Sequence, residues 1–123
     1  PMPGFVRLKK EDGSALPWRA RRCDTFLCRL QGLMFRRRLR PDEALLFVEA
    51  RESRTATAIH MFFVFCPIAV VWLRTDGVVV DKVLARPFRP LYTPAAPARY
   101  YLEAAPALLE WVTVGERLQI ESD

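Results

Sequence analysis

Apolar side chains are densest between Ile59 and Leu73, a 15-residue run broken only by His60 and Pro67. A helix that crosses a bilayer needs about 20 consecutive apolar residues, so this run is too short to span. It is rich in β-branched and aromatic residues, which favour strands. Pro67 has no N–H to give to a ladder and divides the run into two strands or marks an edge. Beyond Arg74, the residues Thr75-Asp76-Gly77 lead into Val78-Val79-Val80. Asp-Gly between apolar runs is a strong hairpin signal, so 68–74 is expected to pair antiparallel with 78–84.

The same reading extends along the chain. Phe5–Lys9 and Leu16–Arg21 flank Asp12-Gly13-Ser14 and predict a second, more exposed hairpin over 5–21. Asp24 or Thr25 can cap a helix, because Phe26, Leu27, Leu30, Leu33 and Met34 fall on one helical face. Gly32 weakens that helix and predicts close packing or an early end. Pro41-Asp42-Glu43 marks a turn, and Ala44–Val48 and Thr55–Phe62 read as strands. Five of the ten prolines lie between Ala85 and Pro106, which makes that stretch extended. Arg99–Glu103 then resumes the sheet. Pro106 suits the first turn of a short helix over Ala107–Val112 that turns Leu108, Leu109 and Val112 inward. Gly115 leads into a last strand, Arg117–Glu121.

Composition narrows the class. With 123 residues, 51% hydrophobic and 27% charged, the chain has room for one core and reads as a single domain over 1–123. Its three cysteines, Cys23, Cys28 and Cys66, match no zinc or disulfide framework. Free thiols point to a reducing compartment or to a protein indifferent to redox, and no charged-then-apolar leader pattern precedes the domain; the expected location is cytoplasmic. The net charge of +5 is uneven, with 13 Lys+Arg against 7 Asp+Glu in residues 1–54.

The motifs Cys23-Asp24-Thr25, Arg29, Gly32-Leu33-Met34-Phe35-Arg36 and Leu39 resemble the opening signature of the prokaryotic domain-of-unknown-function family number 192. In order after them, Ala44-Leu45-Leu46-Phe47 is similar to that family's Gly-Met-Leu-Phe strand and His60-Met61 to its Trp-Met pair. Pro67-Ile68 stands at its Pro-Leu, Asp76-Gly77-Val78-Val79 at its central turn, Tyr101-Leu102-Glu103 at its Val-Leu-Glu strand and Gly115-Glu116 at its Gly-Asp. The likeness covers roughly 20–121. It implies a mainly β, jelly-roll-like sandwich or barrel with one or two short helices, and no established activity. Where the family has a polar run and an Asp, this chain has Phe62-Phe63-Val64 and Ala69, so the segment is expected to be structural here.

Several constellations invite a chemical reading. His60 and Cys66 are six residues apart in extended sequence, about 20 Å on an unbent strand, too far for a nucleophile and its base. Cys23, Cys28, His60 and Cys66 lack paired zinc spacing, so no metal and no cofactor is expected. Glu103 lies in an otherwise apolar strand, and inward placement requires a cationic partner. Arg29 and Arg36 are the candidates, either as a salt bridge tying helix to sheet or as the lining of a small-ligand pocket. The eight arginines from Arg19 to Arg40 face only Asp24, a balance of +7 in 22 residues. Such a patch suits phosphates, although no aromatics alternate with it as a single-strand platform requires. Phe88 and Tyr92, in the proline-rich loop, can either present a surface to a partner or turn inward under a strap.

The reading is therefore a non-catalytic binding or accessory domain for an unknown small ligand or protein partner, with Arg29, Arg36, Glu103, Phe88 and Tyr92 as candidate contacts. The alternative is polyanion or nucleic-acid binding through Arg21, Arg22, Arg36, Arg37, Arg38 and Arg40.

Overall fold

The computed structural model describes residues 4–25, 28–29, 32–36 and 39–122. They form one curled seven-stranded sheet in the order β5-β4-β6-β3-β2-β1-β7. The strands are β1 (Phe5–Lys10), β2 (Ala15–Cys23), β3 (Glu43–Ser53), β4 (Ile68–Leu73), β5 (Val79–Ala85), β6 (Ala98–Ala104) and β7 (Leu118–Ser122), with a 3-10 helix at Pro106–Glu110. The mainly β expectation holds. Both hairpins form, with Val6 opposite Ala20 in the first and Val70 opposite Val83 in the second.

Period-two alternation sorts side chains to the two faces of the sheet. Leu8, Trp18, Leu46, Val71 and Leu102 point to the inner face, where Leu108 and Val112 close one end. Lys82 holds that end, its Nζ donating to the carbonyls of Leu109 and Val112 at 2.8 Å each. Register shifts in the β1–β2, β3–β6 and β4–β5 pairings bend the sheet, as bulges do. The curl brings the start of β7 over the β4–β5 turn, where the Leu118 N–H donates to the Gly77 carbonyl at 2.9 Å. Gly77 has φ +88°, and a Cβ there would sit 2.1 Å from the Leu118 oxygen. Only glycine lets these backbones meet.

The pairing of β2 with β3 is parallel, Arg19 opposite Glu43. A parallel pair needs a long crossover, and of the chain between β2 and β3, Cys28, Leu33, Met34 and Leu39 pack on the outer face of the sheet. The Thr25 side chain accepts from the Cys28 N–H at 3.2 Å, as the capping reading requires. Cys28 and Arg29 are helical, and Gly32, at φ +47°, stands in the turn that follows. Phe26, Leu27 and Leu30 of the predicted helix lie outside the described residues.

Four expectations are corrected. Cys23 and Cys28 form a disulfide, leaving Cys66 as the free cysteine. The inference from three free thiols to a reducing compartment therefore fails. A bond of this span, from the end of a strand to the next helical turn, has no framework spacing to announce it. Thr55–Phe62 is not a strand. The Ser53 hydroxyl accepts from the Ala56 N–H, and Thr57 Oγ1 donates to the Ser53 carbonyl. Such local bonds compete with a ladder, and Ile59 alone pairs, bridging to Tyr92. The indole N–H of Trp72 donates to the Thr57 carbonyl at 2.8 Å and pins this loop to the sheet. Phe62 and Phe63 are exposed, whereas Val64 and Ala69 are buried as a structural role demands. Of the two readings of the proline-rich loop, each residue takes one: Phe88 turns outward and Tyr92 packs in the outer-face cluster.

Candidate ligand-binding sites

The outer face divides into a covered half and an open half. On the covered half, the crossover and the 55–67 loop lie over Phe47, Val70, Trp72 and Tyr101. Phe47 and Tyr101 stack at 4.6 Å between ring centroids. Here sits a cavity of about 70 Å³, walled by Met34, Phe47, His60, Met61 and Tyr101, with Arg29 and Glu103 among its lining.

Glu103 occupies a central strand between Leu45 of β3 and Val70 of β4. It is 7% exposed. Burial in this apolar setting pushes its carboxyl up to about 8, because the charged form is poorly solvated there. Arg29 does not pair with it. The Arg29 Nε lies 3.1 Å from Glu49, and its Nη1 donates to the carbonyls of Asp24 and Val48. Arg36 donates twice to Glu43, at 2.8 and 2.6 Å. The predicted tie from Arg29 or Arg36 to Glu103 is therefore absent. Glu43 and Glu49 of β3, less buried than Glu103, take both guanidinium groups, since they can stay charged at lower desolvation cost. Arg29 and Glu103 still meet as linings of one cavity; Arg36 lies outside it.

The open half is the outer face of β1, β2 and the start of β3. Antiparallel register sets Arg7 opposite Arg19 and Phe5 opposite Arg21. Period two keeps Phe5 and Arg7 on one face with Pro17, Arg19 and Arg21. The turn into β3 adds Arg40, Asp42 and Glu43, and Arg36 reaches in from the crossover. The result is a groove of about 580 Å³ lined by five arginines and two carboxylates. The paired hydrogen bonds from Arg36 hold Glu43 below the usual carboxylate range and keep it charged.

The expected arginine patch is thus split. Arg21, Arg36 and Arg40 converge on the groove, but Arg22 pairs with Asp24 at 3.2 Å. Arg37 and Arg38 lie outside the described residues. Arg7 was not anticipated, because only the hairpin register carries it to the cluster; its place at period two with Phe5 was the available signal. Of the remaining groups, His60 is exposed and accepts from the Phe62 N–H through Nδ1. Burial pushes the Cys66 thiol up, the opposite of an activated nucleophile.

A curled seven-stranded sheet that carries an arginine groove and a buried acid on its outer face defines a compact β domain. The family model described as Uncharacterized ACR, domain of unknown function 192, matches residues 7–120, and the chain belongs to that family. It is 37% identical over 109 residues to a UPF0127 protein of Thermococcus kodakarensis, covering 89% of this chain and 68% of that one. A UPF0127 protein of Pyrococcus furiosus is 35% identical over 109 residues, with 87% and 90% covered. A third, from Thermococcus gammatolerans, is 41% identical over 93 residues, and the match spans 59% of that longer protein. Among solved structures, a protein of Sinorhizobium meliloti described as a candidate transcription regulator superposes with a TM-score of 0.81 at 24% identity, covering 94% and 92% of the two chains. One of unknown function from Novosphingobium aromaticivorans gives 0.77 at 20%, covering 94% and 83%. These two likenesses concern the fold.

Proposed function

We propose that this protein is a non-catalytic binding domain that takes a small polyanion, a molecule with two or more phosphate or carboxylate groups, in the arginine groove. The observation that carries this reading is the placement of Arg7, Arg19, Arg21, Arg36 and Arg40 around one concavity whose described lining has Asp42 and Glu43 as its acidic residues. Size favours the groove over the cavity. Ligand pockets run to roughly 300–1,000 Å³, and the groove at about 580 Å³ falls within that range. The cavity, at about 70 Å³, is about half the size of one that holds benzene, ~150 Å³.

Chemistry favours binding over catalysis. Arginine stays protonated and presents a planar fork of donors that matches phosphate and carboxylate geometry. It does not shuttle protons. Asp42 and Glu43 narrow the choice of ligand, since they repel an anion placed along the β3 side of the groove.

Nucleic acid is the second reading, and the same groove would hold its backbone. The two readings part in a salt series. Binding of a strand that contacts several phosphates falls steeply with salt, with a log–log slope of about −0.7 per contact for a single strand. Titrating the purified chain with pyrophosphate, citrate and a short single-stranded oligonucleotide by calorimetry tests the proposal. Saturable binding of a small polyanion supports it, and no heat with any of the three overturns both readings.

A further inference from the structure

The three described non-glycine residues with positive φ are Phe35 at 68°, Phe63 at 60° and Phe88 at 65°. All three are exposed, at 63%, 49% and 48%, and Phe62 and Phe65 beside them are exposed at 46% and 42%. Four of the rings touch in a chain, and Phe62 packs against His60 at 5.4 Å. Phe35 stacks on Phe63 at 5.5 Å, Phe63 meets Phe88 edge-on at 6.3 Å, and Phe65 meets Phe88 at 5.4 Å. Backbone hydrogen bonds join the three loops beneath them, from the Phe35 N–H to the Phe63 carbonyl and from the Phe88 N–H to the Met61 carbonyl.

A bulky residue with φ > 0 is costly, and such strain gathers where function needs it. Here it coincides with aromatic rings left in water, so neither chain conformation nor core burial accounts for them. An exposed apolar cluster of this kind marks an interaction surface.

The surroundings specify what meets it. The sequence has no Asp or Glu in residues 31–41, 54–75 or 82–102, the segments that supply all five rings, and Glu43, close to Cys66, is held by Arg36 at 2.6 Å. Arg86 and Arg89 are exposed beside Phe88, and neither makes an ion pair among the described residues. The rings line neither the cavity nor the arginine groove. They project from loops and line none of the three described pockets, whereas protein interfaces seat their hot spots in pockets. Aromatic groups flanked by basic residues suit the headgroup level of a bilayer, where rings enter the acyl boundary and Arg meets anionic lipid.

We propose that the cluster of Phe35, Phe62, Phe63, Phe65 and Phe88, with Arg86 and Arg89, docks this protein onto the surface of an anionic lipid bilayer. The rings project from loops, whereas the groove is built mostly on β1, β2 and the start of β3; Arg36, next to Phe35, is the groove residue that adjoins the cluster. The test is co-sedimentation of the purified chain with sucrose-loaded vesicles, either of phosphatidylcholine alone or with phosphatidylserine included. The chain is expected to pellet with the phosphatidylserine vesicles and to stay in solution with phosphatidylcholine alone. Replacing both Phe63→Gly and Phe88→Gly removes two rings and relieves their backbones, and is expected to weaken partitioning at least roughly tenfold. The surface change Arg86→Glu with Arg89→Glu, which leaves the rings in place, is expected to abolish the preference for phosphatidylserine. Soluble glycerophosphoserine is expected not to compete. Failure of the wild-type chain to pellet with anionic vesicles overturns the proposal. So does partitioning that either double variant leaves unchanged, or that the soluble headgroup displaces.

Discussion

Leu45 and Glu103 face each other across the β3–β6 pairing, and Leu45 lines the arginine groove while Glu103 lines the neighbouring cavity. One rung of the sheet thus separates a cationic, open site from a small one that holds a buried acid. The separation accounts for the state of Glu103. The guanidinium groups that would have neutralised it are drawn to Glu43 and Glu49 on either side, so the central acid is left to desolvation alone.

That isolation gives stability a specific dependence on pH. The folded Glu103 carboxyl titrates at about 8 against an ordinary 4.5. Between those values the native state holds a proton that the unfolded state has lost. Stability then falls as pH rises, by about 1.4 kcal/mol per pH unit from this group. Glu103→Gln keeps the shape without the charge and is expected to flatten the dependence between about pH 5 and 8. Urea denaturation across that range measures it; parallel curves for wild type and variant would show that Glu103 is solvated after all.

The Cys23–Cys28 disulfide fastens the start of the crossover to the end of β2. Closing so short a loop constrains the unfolded chain by about 2 kcal/mol. Cys28→Ser is expected to cost about that amount, and wild type under reducing agent to match it. Equal denaturation midpoints with and without reductant would contradict the bond's contribution.

Closure of the curled sheet depends on Gly77. Gly77→Ala places a methyl against the Leu118 carbonyl at a φ that alanine avoids, so the variant is expected to lose ~3 kcal/mol or more. Thermal denaturation checks this. A change below ~1 kcal/mol would mean that β7 can detach from the β4–β5 turn without consequence.

Much of the fold was legible because its signals are local. Asp76-Gly77 announced one hairpin and Asp12-Gly13-Ser14 the other, while Pro106 marked the 3-10 helix. What depended on long-range pairing was not legible. The parallel β2–β3 pairing lays the crossover over the outer face, and no local pattern in residues 24–42 encodes it. Thr55–Phe62 had strand composition but lost to hydroxyl–backbone bonds at Ser53 and Thr57. Glu103 was recognised as out of place in an apolar strand, yet its missing partner followed from Glu43 and Glu49 competing for the arginines. The groove was half visible: Arg21, Arg36 and Arg40 lay in the charged run, whereas Arg7 joined only through the β1–β2 register. The substitution of Phe62 and Phe63 for polar residues signalled a change of role, but hydrophobicity alone cannot separate a core from an exposed contact surface.

The most direct test of the central claim is calorimetric titration of pyrophosphate into the wild-type chain and into Arg7→Ala/Arg21→Ala. These two arginines come from adjacent strands and support no core packing. Each charge-assisted hydrogen bond lost is worth roughly 1.5–3 kcal/mol, so the double variant is expected to bind at least roughly a hundredfold more weakly while unfolding at the wild-type temperature. Equal affinity in the two proteins, or no binding to the wild-type chain, would contradict the assignment of the arginine groove as the ligand site.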